Sequence, residues 1–202
     1  MTGREMRRGT ANALDRRAAV RALLAARGKA LVVTGLGSPT YDVFAAGDHD
    51  ANMYLWGAMG GAAMIGLGLA LAQPRRPVVV ITGDGEQLMG LGALATIAVK
   101  KPGNLTLVTL DNGQYGETGQ QSSHTGLGID LHRIAESAGF AAVELTDLAG
   151  IAAYRQELAR LEGLPRFATI RISAETAARA LPARDGVHLK NRFRAHLGLG
   201  VN

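Results

Sequence analysis

Cysteine is absent from the 202 residues, which excludes disulfides, thiolate metal sites and a cysteine nucleophile. Aromatic residues make up only 4%, too few for the stacking platforms with which proteins hold single-stranded nucleic acid. A net charge of +5 does not repair that deficit, because it sits at the ends. Residues 1–29 carry eight Lys/Arg against two Asp/Glu, and residues 171–202 carry six against two. Residues 30–170 carry eight against thirteen. A nucleic-acid binder displays its basic residues on the folded body. Here the body is acidic and the ends read as solvated basic segments, so no nucleic-acid partner is expected. A secretory leader is also missing: Met1 to Arg8 is polar and basic with no apolar stretch behind it. The expected compartment is cytoplasmic.

Only one long uncharged run occurs, Ala51 to Pro74, and its length would span a bilayer. It holds Gly57, Gly60, Gly61, Gly66 and Gly68 and much alanine, so its transfer energy into lipid is poor. The Gly57/Gly61 spacing is weak evidence for membrane pairing outside a strongly apolar segment. A buried helix with close neighbours is expected instead, and no membrane span.

What is present is a hydrophobic fraction of 47% with 19% charged residues, enough for one domain with a real core. Apolar periodicity alternates between short buried runs and amphipathic stretches. Helices are expected over residues 12–27, 38–46, 59–72, 86–100, 130–138 and 147–162. Strands are expected over 30–34, 52–56, 78–82, 105–110, 141–145 and 167–172. That alternation predicts an α/β fold, a doubly wound and mostly parallel sheet with helices on both faces. The domain proper spans 30–174. It follows an N-terminal basic segment and helix (1–29) and precedes a basic tail (175–202), in which only a short helix around 191–197 is expected.

The most informative stretch runs from Gly83 to Asn112. Gly83-Asp84-Gly85 closes one apolar run, and Asp111-Asn112-Gly113 closes the next. In a parallel βαβ unit both strand tips emerge on the same sheet edge, where ligands of open α/β folds bind. Asp84 and Asn112 can therefore meet. Two oxygen donors beside glycine turns point to a magnesium or calcium ion carrying a phosphate group. The dinucleotide fingerprint fails at both glycine turns, because Thr40 and Leu88 stand where its third glycine is needed. No Gly-Lys-Ser/Thr follows either turn, so a Walker A loop is absent as well.

Gly83-Asp84-Gly85, with Asn112 28 residues beyond Asp84 and Gly113-Gln114-Tyr115-Gly116 after it, resembles the signature of thiamine diphosphate-dependent enzymes. Two asparagines usually end that signature; here the first is Asp111. The resemblance implies Mg²⁺ held by Asp84, the Asn112 side chain and the Gln114 main-chain carbonyl. It also implies a diphosphate lying along Gly83, Gly85, Glu86, Tyr115 and Gly116, with Gly83 and Gly85 admitting backbone N–H groups to it. Trp56-Gly57-Ala58-Met59-Gly60, with Met59 25 residues before Asp84, matches the place where the family sets a wedge between the two cofactor rings. Met59 would be the wedge, with Gly57 exposing main chain to the aminopyrimidine.

The run Gly85 to Gly119 is similar to sulfopyruvate and phosphonopyruvate decarboxylases, through Leu91-Gly92-Ala93-Leu94-Ala95-Thr96-Ile97, Pro102-Gly103-Asn104-Leu105 and Tyr115-Gly116-Glu117-Thr118-Gly119. In that family a second domain binds the aminopyrimidine and supplies an activating glutamate, and the resemblance covers only the diphosphate domain. The implied protein is one subunit of a split 2-oxoacid decarboxylase. It would work with a pyrimidine-domain partner in a hetero-oligomer and act on a small anionic 2-oxoacid. Glu86 and Glu117 read as a helix-start charge and a loop residue. His49, in Asp48-His49-Asp50, and His124, in the glycine-rich loop 113–128, are the candidates for orienting the substrate or donating a proton; an exposed loop histidine is the alternative for each. The loop itself is expected to cover the site. Two other functions share the signature: a subunit of an acetolactate synthase-like carboligase or a 2-oxoacid oxidoreductase, and a non-catalytic diphosphate- or nucleotide-binding module.

Overall fold

The computed structural model describes residues 13–200. Six parallel strands form one sheet: β1 (Leu31–Thr34), β2 (Asn52–Tyr54), β3 (Val78–Gly83), β4 (Leu105–Asp111), β7 (Ala141–Leu145) and β8 (Arg166–Arg171), in the order β2-β1-β3-β4-β8-β7. A two-stranded antiparallel hairpin, β5 (Gln114–Tyr115) with β6 (Gln121–Ser122), stands apart from it. The helices are α1 (Arg16–Leu24), α2 (Ser38–Ala45), α3 (Ala62–Ala72), α4 (Asp84–Met89), α5 (Ala93–Lys100), α6 (Leu131–Ala138), α7 (Leu148–Tyr154) and α8 (Gly186–His196), and a 3₁₀ turn spans Arg155–Ala159.

Side chains of a strand alternate between faces, and the central strands are apolar on both. Val78, Val80, Leu105, Leu107 and Phe167 pack under α3, α5 and α6. Val79, Ile81, Val108, Ala168 and Ile170 pack under α1, α2 and α7. Strands buried on both faces read as continuous apolar runs, which is what a helix-covered parallel sheet requires. The expected doubly wound architecture is the one observed.

The glycine-alanine helix α3 lies against the sheet. A Cβ on Gly66 would come within 2.2 Å of Val80 Cγ2, so glycine there sets how close helix and sheet come. Among the described residues no helix is long and apolar enough to cross a membrane.

Several boundaries differ from those expected. The first helix starts at Arg16, because the Asp15 side chain accepts a hydrogen bond from Ala18 N at 2.7 Å and caps it; Asn12, its expected start, lies outside the described residues. Residues 59–61 form a turn, and α3 begins only at Ala62. The helix expected over 86–100 is two helices, for a reason that belongs to the site. The C-terminal helix is longer than expected, because Asp185 caps it through Val187 N (2.9 Å) and His188 N (3.1 Å). Its Leu189 and Phe193 are buried, one in each core, so α8 wraps the β2 edge of the sheet. Arg192 ties it there through Asp48 (2.7 Å) and the Asn52 carbonyl (3.2 Å).

Candidate functional site

From β1 the chain moves outward to β2, and β3 is then added on the other side of β1. Helix α2, which follows β1, and α4, which follows β3, pack on opposite faces. A crevice therefore opens between the C-terminal ends of β1 and β3, the switch point at which such sheets bind ligands. A cavity of about 160 Å³ occupies it. Its wall contains Gly83, Asp84, Gly85 and Glu86 from the β3 tip, Asn112, Gln114, Tyr115 and Gly116 from the β4 tip, and Met59. These residues come from three separate stretches of sequence. Gly57 is not among the lining residues.

Met59 reaches the cavity because a backbone crossing holds its turn in place. A Cβ on Gly90 would fall 2.2 Å from the Gly60 carbonyl oxygen, so only glycine admits that approach. The same crossing ends α4 at Met89 and delays α5 to Ala93, which is why one expected helix became two. Met59 is 40% exposed and outside any helix, so core packing does not account for it.

Glu86 stands in the first turn of α4, but its side chain is buried. Its Oε2 accepts the Leu36 N–H at 2.9 Å. Burial pushes its carboxyl upward, opposed by the Thr82 hydroxyl and the backbone N–H groups of Gly60, Leu36 and Ala62. Glu86 thereby joins α4 to the loop after β1.

The register pairs Gly83 with Leu110, so Asp84 and Asp111 leave their strands side by side. Both are buried. Asp84 is hydrogen-bonded by Ser123, and by Thr125 at 2.9 Å; Thr125 also reaches Asp111 at 2.7 Å. Burial, reinforced by the neighbouring Asp111, pushes the Asp84 carboxyl up to about 6. Asp111 pairs with Arg171, its cross-strand neighbour on β8, which also bonds Glu144 at 2.6 Å and lies 3.5 Å from Asp130. One guanidinium thus serves three carboxylates, and among the described residues Asp84 makes no ion pair with a cationic side chain. A buried carboxylate short of positive charge is the environment a divalent cation completes.

Asn112 Oδ1 accepts the Gln114 N–H at 3.0 Å, folding the chain back so that the Asn112 side chain and Gln114 face the same cavity. Cβ atoms added to Gly83 or Gly116 would meet no protein atom nearer than 3.9 Å. Packing does not demand glycine at these two positions, and their bare main chain forms cavity wall. Gly85 differs: a Cβ there would lie 2.4 Å from the Tyr115 ring, so its smallness seats Tyr115.

The loop 113–128 is folded. Ser123 N donates to the Gly113 carbonyl at 2.9 Å, closing the hairpin, and Ser123 and Thr125 are buried. Glu117 accepts from Ser38 Oγ at 3.0 Å and lies 3.5 Å from Arg179, so the loop is fastened to α2 and to the segment before α8.

Neither histidine joins the cavity wall. His49 precedes β2 and so lies at the N-terminal edge of the parallel sheet, opposite the crevice; its Nδ1 accepts from Ala51 N at 2.9 Å, and its ring packs against His196. The polarity of the sheet excludes it from this site. His124 projects outward between two buried neighbours, Ser123 and Thr125.

Sequence reasoning missed Ser123, Thr125, Arg171 and Arg16. Nothing local marks them, because each acts through a contact more than a dozen residues away.

Comparison with known proteins gives a family and a fold. Residues 40–172 match the family model described as thiamine pyrophosphate enzyme, C-terminal TPP binding domain. The chain is 47% identical over 117 residues to sulfopyruvate decarboxylase subunit beta of Methanothermobacter thermautotrophicus, covering 58% of this chain and 62% of that subunit. It is 46% identical over 114 residues to phosphonopyruvate decarboxylase of Streptomyces hygroscopicus, covering 56% of this chain and 28% of that enzyme. The chain thus spans less than two thirds of the length of these relatives. In fold it is similar to benzoylformate decarboxylase of Polynucleobacter necessarius, with a TM-score of 0.66 at 21% identity over 88% of this chain and 36% of that one.

Proposed function

The chain belongs to the thiamine pyrophosphate enzymes through their C-terminal TPP-binding domain, and from that premise we propose that it is the metal- and diphosphate-holding subunit of a split 2-oxoacid decarboxylase. The substrate is a small anionic 2-oxoacid of the sulfopyruvate or phosphonopyruvate kind, and a partner chain carries the pyrimidine domain with its activating glutamate.

The observation that carries the reading is the convergence of Asp84, Asn112 and Gln114 from two strand tips on one cavity, with Asp84 buried and short of positive charge. Thiamine diphosphate, when bound, supplies the thiazolium that accepts the electron pair released as a 2-oxoacid loses carbon dioxide. The chain's own residues bind and orient. Asp84, the Asn112 amide oxygen and the Gln114 carbonyl would hold Mg²⁺, and the bare main chain at Gly83 and Gly116 would admit the diphosphate. Met59 would stand against the cofactor rings. Ser123 and Thr125 keep the Asp84 carboxylate turned to its task, and the Glu117 latch helps exclude water from the diphosphate end.

Among the described residues no glutamate other than Glu86 and Glu117 lines the cavity, and each already accepts a hydrogen bond within this chain. That supports a partner as the source of the activating carboxylate, as does the name subunit beta of the relative above. Exposed apolar side chains on and after the Met59 turn, Met59 at the cavity, Met64 and Ile65 in the first turn of α3 and Met89 beside Gly60, support the same reading, since exposed apolar residues close together mark an interaction surface. An Ile65→Asp variant is expected to lower partner affinity about tenfold or more without a change in its own melting temperature; co-purification and calorimetry with the partner measure it.

The decisive experiment is reconstitution. The purified chain with thiamine diphosphate and Mg²⁺ should release no carbon dioxide from sulfopyruvate, phosphonopyruvate or pyruvate. Adding a pyrimidine-domain chain should restore turnover on one of the first two. Full activity of the chain alone would overturn the split-enzyme reading; condensation without net release of free aldehyde would favour a carboligase.

A further inference from the structure

Arg16, in the first turn of α1, is only 8% exposed. Leu14 forms a parallel bridge with Ile172, just past the C-terminal end of β8, donating its N–H to the Arg171 carbonyl and accepting from Ser173 N, and this brings the first turn of α1 to the ligand edge of the sheet. Arg16 Nε donates to Asp42 Oδ2 at 2.6 Å, and Asp42 on α2 is itself buried. Burial pushes the Asp42 carboxyl upward, and Arg16 and then Arg17 offset part of that push.

Among the described residues this is the one hydrogen bond the Arg16 side chain makes, so its two terminal NH₂ groups remain for another acceptor. Arg16 lines the main cavity and also a smaller polar one of about 60 Å³ beside it. The two cavities share Arg16, Ser38, Asn112, Gly116 and Glu117, whereas Met59 borders only the larger. Arg16 therefore stands on the Asn112–Gly116 side of the crevice, away from Met59. The other nearby cations are engaged: Arg171 with three carboxylates, Arg17 with the Ala178 carbonyl and Asp42, and Arg179 with Glu117.

We infer that Arg16 is the cation that receives the terminal phosphate of bound thiamine diphosphate, held at the correct angle by Asp42. This rests on the proposed cofactor role. A guanidinium anchored through Nε presents its two NH₂ groups as a planar fork, the geometry that matches two phosphate oxygens at once. Asp84 and Asn112 would hold the metal, and Arg16 would add the cationic side chain that the terminal phosphate needs beside it.

Calorimetry of the full-length chain with Mg²⁺ tests it, using thiamine diphosphate, inorganic pyrophosphate and thiamine as probes. Arg16→Gln should weaken thiamine diphosphate and pyrophosphate about tenfold to a hundredfold and leave thiamine unchanged; Arg16→Lys should recover part of the loss. Because Arg16→Gln strands the buried Asp42, the double variant Arg16→Gln/Asp42→Asn is measured too. It should regain the wild-type melting temperature while diphosphate affinity stays low. Recovery of affinity in the double variant, or an equal loss for all three probes, would reduce Arg16 to a packing partner of Asp42 and overturn the inference. Failure of the wild-type chain to bind thiamine diphosphate would instead overturn the cofactor reading on which it rests.

Discussion

Replacing Asp84 by alanine is expected to weaken Mg²⁺-dependent binding of thiamine diphosphate by about a hundredfold or more, since even the outer partners of metal ligands are worth ten- to a hundredfold. The melting temperature of the cofactor-free protein should stay level or rise. An acid whose pKa is higher folded than unfolded opposes folding at neutral pH, and the penalty fades as the pH falls through the folded value. Asp84, pushed up to about 6 by burial and by Asp111, is such a group. The hydroxyls it leaves behind keep partners: Ser123 and Thr125 lie 2.9 Å apart, and Thr125 retains Asp111 at 2.7 Å. Calorimetry for affinity and a thermal melt without ligand separate the two effects. A variant that binds the cofactor as tightly as wild type would remove Asp84 from the metal site. A variant that unfolds would mean that its role is structural.

The second large effect is expected at Arg171, in stability. Arg171→Leu leaves Asp111 buried without its cation, and breaking a buried pair from one side costs about 3–5 kcal/mol. The loss should appear as a lower urea midpoint at an unchanged slope. Asp111→Leu on top of it should recover part of the loss, because the buried carboxylate is removed, while Glu144 and Asp130 still lose their contact with the guanidinium. A change below about 1 kcal/mol in the single variant would show that Asp111 finds other support. The pairing also accounts for a departure from the family pattern. Aspartate stands where asparagine is usual, and its direct cross-strand neighbour is an arginine; the two residues make sense only together.

These effects divide along a line that runs through the whole molecule. The fold was legible because alternating apolar runs and amphipathic stretches are local properties with periods of two and 3.6 residues. Asp84 and Asn112 were legible as a pair because both follow apolar runs, and parallel strands put such tips on one edge. The division of residues 86–100 was not legible, because its cause, the backbone of Gly60, is 30 residues from Gly90. Met59, likewise, was read into a helix that begins only at Ala62. His49 was a reasonable candidate by residue type, but strand direction decides which end of β2 it occupies.

The sequence by itself determined the doubly wound α/β class, the place of the motif at two adjacent strand tips and the likeness to the thiamine diphosphate enzymes. Each depends on residue order over a short stretch. Only the tertiary structure decided which charges are paired. Arg16 and Arg17 are neighbours of one residue type, yet one is buried beside the crevice and the other lies nearer solvent. Arg171 meets Asp111 across 60 residues, and Thr125 reaches Asp84 across 41. The strength of a charge depends on what surrounds it in space, and chain packing alone sets those surroundings.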